Sequence, residues 1–160
     1  MGNQFLTRVG SDLVKKYKTR DPFAIADALG IKVLFCDGFG PLKGMYRVVK
    51  RNRFIFINKD LDERMQRIVC AHELGHILLG HLGRYELVNR EPDLMDNPIE
   101  HEANVFASRL LAPACVLWAL DARSPEEIAD ICQISYQSAS FRAERMAELY
   151  KRQKFLTSPL

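Results

Sequence analysis

The sequence predicts an α+β fold, in which a small, mostly antiparallel three-stranded sheet is combined with several helices. Three short strand patterns fall close together, at residues 31–35, 45–49 and 54–58. A long helix that is apolar on nearly every side follows them directly, and further helical patterns occupy both ends of the chain. Strands gathered in one stretch, with helices before and after, are typical of α+β domains and not of alternating βαβ units.

The first elements are two helices. The chain favours a helix over residues 4–17, because apolar side chains recur there at helical spacing: Leu6, Val9, Leu13 and Tyr17. A shorter helix follows, in which Asp21 can serve as the N-cap, Pro22 as the first helical residue and Gly30 as the stop signal.

The three strands come next. The first, at 31–35, is followed by the turn-forming residues Gly38, Gly40 and Pro41. A polar turn at 50–53 separates the second strand from the third, so these two are expected to form an antiparallel hairpin.

A central helix is predicted from about residue 60 to residue 82. Because residues 68–79 are apolar nearly all round, this helix should be buried on several sides. Residues 83–97 read as a loop, Asn97-Pro98 begins another helix that runs to about residue 111, and Pro113 ends or kinks it.

The C-terminal part is predicted to be helical, with elements at about 115–120, 125–132 and 135–152, the second of them started by Ser124-Pro125. We therefore divide the chain into a main domain at residues 1–122 and a helical extension at 123–160, whose spacing could be that of a helix-turn-helix.

Composition narrows the class of protein. The chain has 160 residues, is 48% hydrophobic and 27% charged, and has a net charge of +3. So small a basic excess gives no argument for nucleic acid or membrane binding. No apolar run approaches the roughly 18–20 residues that span a bilayer, and the N-terminus lacks a secretory signal pattern. We expect a cytoplasmic protein whose four cysteines, without a CxxC pair, are free thiols: Cys36, Cys70, Cys115 and Cys132.

The central helix carries the motif His72-Glu73-Leu74-Gly75-His76. Residues four apart share one helix face, with Cβ atoms about 6 Å apart, so His72 and His76 can bind one zinc ion. Glu73 lies about 100° round the helix, where it can take a proton from a zinc-activated water. Burying these side chains in an apolar helix without a partner would cost several kcal/mol. The motif therefore predicts a zinc hydrolase with Glu73 as general base.

A catalytic zinc usually has a third protein ligand, and the helix after residue 97 offers two carboxylates. On a helical wheel, Glu100 lies about 55° from the centre of the apolar stripe and Glu102 about 105° away on the other side. Glu100 is therefore the predicted ligand, although Asn97 and Glu100 could instead form a capping box, and Glu102 is the alternative. Asn104 lies on the flank of Glu100 and could hydrogen-bond a ligand imidazole.

Other polar side chains are weaker candidates. His81 is expected at the surface or supporting a ligand, His101 in solvent, and Cys70 too close along the helix to share the face of His72. A group that stabilises the oxyanion is also expected. The sequence leaves five candidates open: Tyr46, Tyr85, Tyr136, His101 and Arg109.

These residues resemble the ImmA/IrrE family of metallopeptidases. The resemblance rests on HELGH at 72–76, on E-x-x-A-N-x-F-A at 100–107 and on L-L-x-P at 110–113, and it covers roughly residues 20–145. One departure is Ala112, where methionine is usual before the proline. The resemblance implies a gluzincin-like core, with the small sheet packed on the zinc helix and Glu100 as the third ligand.

The resemblance also implies a narrow activity, because family members cleave helix-turn-helix repressors and so induce mobile elements, prophages or stress genes. They are typically encoded beside their substrate. The expected substrate lies extended in the cleft, where the strand at 54–58 could pair with it as an edge strand.

A different function remains open from the C-terminal helices. Arg142, Arg145 and a basic tail could contact DNA phosphates, which would make the chain a non-catalytic DNA- or repressor-binding regulator on a peptidase scaffold. The other interpretation is that these helices cover the protease core or dock the substrate. It is favoured because the turn lacks the glycine that often marks a helix-turn-helix, and the apolar residues of this region require burial.

Overall fold

A computed structural model describes residues 3–81, 98–111 and 124–132, together with positions 139, 140, 143, 144 and 147. The helices are α1 (Asn3–Tyr17), α2 (Pro22–Ala28), α3 (Glu63–Leu78), α4 (Pro98–Leu111) and α5 (Pro125–Cys132), and the strands are β1 (Ile31–Cys36), β2 (Gly44–Val49) and β3 (Asn52–Asn58). The predicted α+β fold class is confirmed. The helices predicted at 115–120 and 135–152 lie wholly or largely outside the described residues.

Local sequence signals explain where the helices begin and end. Asp21 caps α2 by accepting a hydrogen bond from the backbone N–H of Phe23 at 3.1 Å. Asp62 caps α3 in the same way, accepting from Met65 at 2.7 Å. The central helix is therefore shorter than predicted, because this cap starts it at Glu63 and Gly80, at φ 71°, lies just past its end.

The sheet is mixed, in the order β1-β3-β2. β2 and β3 form the predicted antiparallel hairpin, and Lys50 and Arg51 both adopt positive φ in its turn, as a type I′ turn requires. β1 pairs with β3 in parallel.

The strand order corrects one expectation. The strand at 54–58 belongs to β3, which lies in the middle of the sheet with both backbone edges hydrogen-bonded to neighbours. It therefore cannot pair with a substrate as an edge strand. Among the described strands, β1 and β2 are the edges.

The core lies where α3 is enclosed. Helix α3 contacts α2, α4, β2 and β3, which explains why its sequence is apolar on nearly every side. Ile55 and Ile57 of β3 are fully buried, as are Leu74 of α3 and Phe106 of α4. Each such side chain contributes roughly 1.5–3 kcal/mol through burial of apolar surface. Within the described ranges, no helix is long and apolar enough to cross a bilayer.

Helices α3 and α4 approach each other closely at Gly75. A Cβ atom on this residue would lie 2.9 Å from Cδ1 of Phe106 and 3.3 Å from both the Cα atom and the carbonyl oxygen of Ala103. These distances are too short for an unstrained contact, and Phe106 is fully buried, so it has little room to move. The glycine therefore sets the distance between the two helices.

We expect Gly75→Ala to lower the free energy of unfolding by about 1 kcal/mol, because overpacking of about 1–3 kcal/mol outweighs a helix-propensity gain of up to about 1 kcal/mol. Gly10→Ala in α1 is the matched control, since no described atom lies within 4 Å of its Cβ position. It should raise the free energy of unfolding by about 0.5–1 kcal/mol. Urea titration measures both changes, and equal stabilisation by the two substitutions would contradict the tight approach.

Candidate metal centre

Two helices supply the polar side chains of the centre. Helix α3 provides His72, Glu73 and His76, and α4 provides Glu100 and Asn104. The i and i+4 imidazoles of α3 lie on one face, with ring centroids 4.7 Å apart. The close approach at Gly75 brings α4 near enough for its side chains to reach them.

Three donor atoms converge on one point. Nε2 of His72 lies 3.0 Å from Nε2 of His76 and 3.1 Å from Oε2 of Glu100. The other carboxylate oxygen of Glu100 lies 3.4 Å from Nε2 of His76. Ligand atoms of a tetrahedral zinc with bonds of about 2.0–2.1 Å are separated by about 3.3 Å. The three side chains therefore have the separations that one zinc ion requires, and they can hold it.

The protonation pattern also suits a cation. Nδ1 of His72 lies 2.9 Å from Oδ1 of Asn104, and since an amide oxygen only accepts hydrogen bonds, Nδ1 carries the proton. Nε2 of the same ring is then left to face Glu100 and His76. Nitrogen and carboxylate donors of this kind are the ligands of catalytic zinc.

Opposite charges also hold these side chains together when no metal is bound. Burial would lower the pKa of His72, but its hydrogen bond with Glu100 and the nearby charge of Glu73 raise that pKa overall. Burial would raise the pKa of Glu100, yet the hydrogen bonds from His72 and His76 bring it well below its ordinary value. Burial lowers the pKa of His76 and outweighs the opposing effect of Glu100. Glu100 is thus a carboxylate and His76 a neutral imidazole, the forms that bind metals, whereas His72 favours the protonated form and would lose its Nε2 proton to a metal.

Glu73 lies beside this trio and is 8% exposed. Burial raises its pKa to about 7, with His72 lowering it and the charge of Glu100 raising it further. A carboxylate with such a pKa can both accept and return a proton near neutral pH. The three donor atoms and this carboxylate together form an arrangement suited to metal-assisted hydrolysis.

Strand β2 runs next to the same side chains. A Cβ atom on Gly44 would meet a side-chain carbon of Val69 and lie 3.0 Å from the carbonyl oxygen of Phe56 and 3.8 Å from Cγ of Glu73. The ring of Tyr46 stacks on His76, with centroids 5.5 Å apart and planes 20° apart. β2 therefore lines the centre. Tyr46 of this strand was one of the five candidates named from the sequence, but the part of Gly44 was not predicted, because this residue carries no side chain that would mark it.

The other described polar side chains considered in the sequence analysis lie outside the group of three donor atoms. Glu102, the alternative ligand, lies 3.0 Å from Nε2 of His81, and it is Glu100 that the structure brings to the two histidines. His81 is fully buried and hydrogen-bonds His76, so its surface placement is wrong and its supporting placement agrees with the structure. His101 is exposed as predicted, and Cys70 is buried.

Among the oxyanion candidates, Tyr46 lies against His76 and is the one that the described contacts place at the centre. His101 is exposed, and Arg109 is half-buried near the end of α4. Tyr85 and Tyr136 lie outside the described residues.

The chain is similar in sequence to a known peptidase family and to two named relatives. Residues 26–144 match the sequence profile of peptidase family M78, described as the IrrE N-terminal-like domain. The chain is 35% identical over 105 residues to "Uncharacterized immunity region protein 2" of Bacillus phage phi105, a match that covers 66% of each protein. It is 34% identical over 102 residues to "Metallopeptidase ImmA" of Bacillus subtilis strain 168, covering 62% of this chain and 58% of that protein.

The matches thus span less than two thirds of the length of either relative. The profile match covers nearly three quarters of this chain and includes the sheet, the central helix and α4. The fold and the geometry of the centre agree with that relationship. The chain therefore belongs to the ImmA/IrrE family of M78 peptidases.

Proposed function

We propose that the chain is a zinc-dependent endopeptidase, with His72, His76 and Glu100 as metal ligands and Glu73 as general base. The observation that carries the proposal is the convergence of three donor atoms, 3.0–3.4 Å apart, beside a buried carboxylate. Three protein ligands are typical of catalytic zinc, whereas structural sites usually close with four.

The chain's own residues supply the proton transfers. Zinc held by His72, His76 and Glu100 would supply a Lewis acid for the peptide carbonyl and would lower the pKa of water to about 7. Glu73 accepts a proton from the attacking water and returns it to the leaving nitrogen as the C–N bond breaks. Asn104 holds the ring of His72 through the 2.9 Å contact at Nδ1.

Strand β2 is the element we propose to align the substrate. It is an edge strand among the described strands, and an extended peptide can pair with such an edge through main-chain hydrogen bonds. Gly44 and Tyr46 bring this edge against Glu73 and His76. A peptide paired with β2 would therefore pass beside the general base.

We further propose that the substrate is a helix-turn-helix transcriptional repressor in the cytoplasm, whose cleavage induces a mobile element, a prophage or a stress response. Support comes from the family resemblance and from a relative whose name refers to a phage immunity region. The second relative is named as a metallopeptidase, which supports the same class of reaction.

The non-catalytic regulator has less support. Ile128 of α5 is fully buried, and it belongs with Ala139 and Ala143 to the same hydrophobic core as the central helix. Packing of this kind favours helices that cover the peptidase core over an independent DNA-binding unit. Arg142 and Arg145 lie outside the described side chains, and the division at residue 122 stays a prediction.

Co-expression with a repressor encoded by a neighbouring gene tests the function, with mass spectrometry of the products. We expect two repressor fragments, and with purified proteins we expect a zinc chelator to stop the cleavage and added zinc to restore it. Cleavage that continues in the chelator would contradict the zinc mechanism. An intact repressor, mixed with zinc-loaded protein that cuts other peptides, would contradict the substrate class alone.

A further inference from the structure

We infer that His81 and Glu102 form a buried positioning pair that orients His76 and strengthens zinc binding through it. The inference rests on the proposed zinc centre and concerns a part of it that the mechanism above does not use. Neither residue donates an atom to the metal trio.

Direct contacts link the pair to the ligand. Nδ1 of His76 lies 2.9 Å from Nδ1 of His81, and Nε2 of His81 lies 3.0 Å from Oε2 of Glu102. The two rings meet edge to face, with centroids 5.1 Å apart. His81 is fully buried and Glu102 is 7% exposed, so solvent does not screen the chain of hydrogen bonds.

With Nε2 of His76 directed at a metal, one arrangement of protons satisfies the contacts of His76 with His81 and of His81 with Glu102. Nε2 of His76 is one of the three atoms that would bind the metal, so it would carry the lone pair there and the ring proton would sit on Nδ1. That proton is donated to Nδ1 of His81, which therefore has its own proton on Nε2. Nε2 of His81 in turn donates to the carboxylate of Glu102. The acceptor-only carboxylate thus fixes the tautomers of both imidazoles.

Metal-bound histidines commonly donate their second ring nitrogen to a carboxylate, which orients the ring and makes it a stronger ligand. Here an imidazole is inserted between the ligand and the carboxylate. The other ligand histidine differs, because the neutral amide of Asn104 supports it. His76 is therefore the ligand that receives support from a charged group.

The contacts also explain why two ionisable side chains are buried at this place. His81 follows Gly80, where the chain leaves α3, and Glu102 lies on α4. If His81 and Glu102 only linked these two elements, they would stabilise the fold without affecting metal binding. The test must therefore measure metal affinity and metal-free stability separately.

The test compares Glu102→Gln, His81→Asn and the double variant with wild type. We expect each single variant to weaken zinc binding by about 10–100-fold, in competition with a chromophoric chelator. The double variant should be little worse than the weaker-binding single variant, because the two residues act as one unit. The visible spectrum of the cobalt-substituted protein should also shift, since it reports the ligand geometry. Glu63→Gln, which removes one exposed charge, should leave both readouts unchanged.

The contradicting outcomes are distinct. Zinc affinity within about twofold of wild type, with an unchanged cobalt spectrum and a lower melting temperature of the metal-free protein, would limit the pair to a structural role and overturn the inference. Wild-type protein that binds no zinc would contradict the proposed function itself. Glu102→Gln keeps the size of the side chain, so this variant decides the question even if His81→Asn fails to fold.

Discussion

Substituting Glu73 by glutamine is expected to lower the rate of repressor cleavage by about 100-fold to 10,000-fold, the range typical for loss of a general base, while zinc remains bound. The amide cannot accept the proton of the attacking water or return it to the leaving nitrogen. Its size matches that of the carboxylate, and burial, which raises the pKa of Glu73 to about 7, already disfavours a charge at this position. Folding should therefore be retained.

The measurement pairs single-turnover cleavage with the zinc content of the same sample. Glu63→Gln on the first turn of α3 is the matched control, because it removes an exposed carboxylate from the same helix without touching the centre. It should cleave like wild type. Glu73→Gln protein that holds zinc and still cleaves at the wild-type rate would remove Glu73 from the mechanism.

The features that the sequence predicted well are those that depend on neighbours along the chain. The pairing of His72 with His76 follows from helix periodicity, which any regular helix imposes. The preference for Glu100 over Glu102 came from the same periodicity on α4, and the structure places Glu100 next to His72 and His76. One of the two helix starts was predicted correctly. Asp21-Pro22 indicated the start of α2, but several charged residues follow Asp60, so the sequence did not single out Asp62 as the N-cap of α3.

Features that depend on contacts between distant segments were not predictable in this way. The parallel pairing of β1 with β3 puts β3 in the centre of the sheet and makes β2 the edge beside Glu73. Strand periodicity says which face of a strand is apolar and nothing about which strand lies next to it. For a related reason, the sequence left open whether His81 supports a ligand or lies at the surface. Gly80 breaks the helix, so the wheel that places His72 and His76 does not apply to His81.

Substitution of Glu100, the proposed third ligand, should weaken zinc binding more than substitution of a residue that only supports a ligand. We expect Glu100→Gln to weaken zinc binding by clearly more than the roughly 10–100-fold that loss of a supporting residue costs, because a neutral amide replaces the anionic donor between two imidazoles. The side chain of Glu100 is 37% exposed, so glutamine fits without strain. The amide loses the ionic contacts with His72 and His76 that lower the pKa of Glu100, so the metal-free melting temperature should fall somewhat. The effect of zinc is therefore the rise above each variant's own metal-free melting temperature.

Two measurements together decide which carboxylate binds the metal. Zinc at 1,000 times its dissociation constant stabilises a protein by about 4.1 kcal/mol, so wild type should melt at a clearly higher temperature in zinc, and Glu100→Gln should gain far less at the same concentration. Glu102→Gln should fall between them, because Glu102 acts on the metal only through His81 and His76. The reverse order, with Glu102→Gln losing zinc more completely than Glu100→Gln, would transfer the third ligand to Glu102. That outcome would require His81 to move aside, since its ring contacts the carboxylate of Glu102 at 3.0 Å.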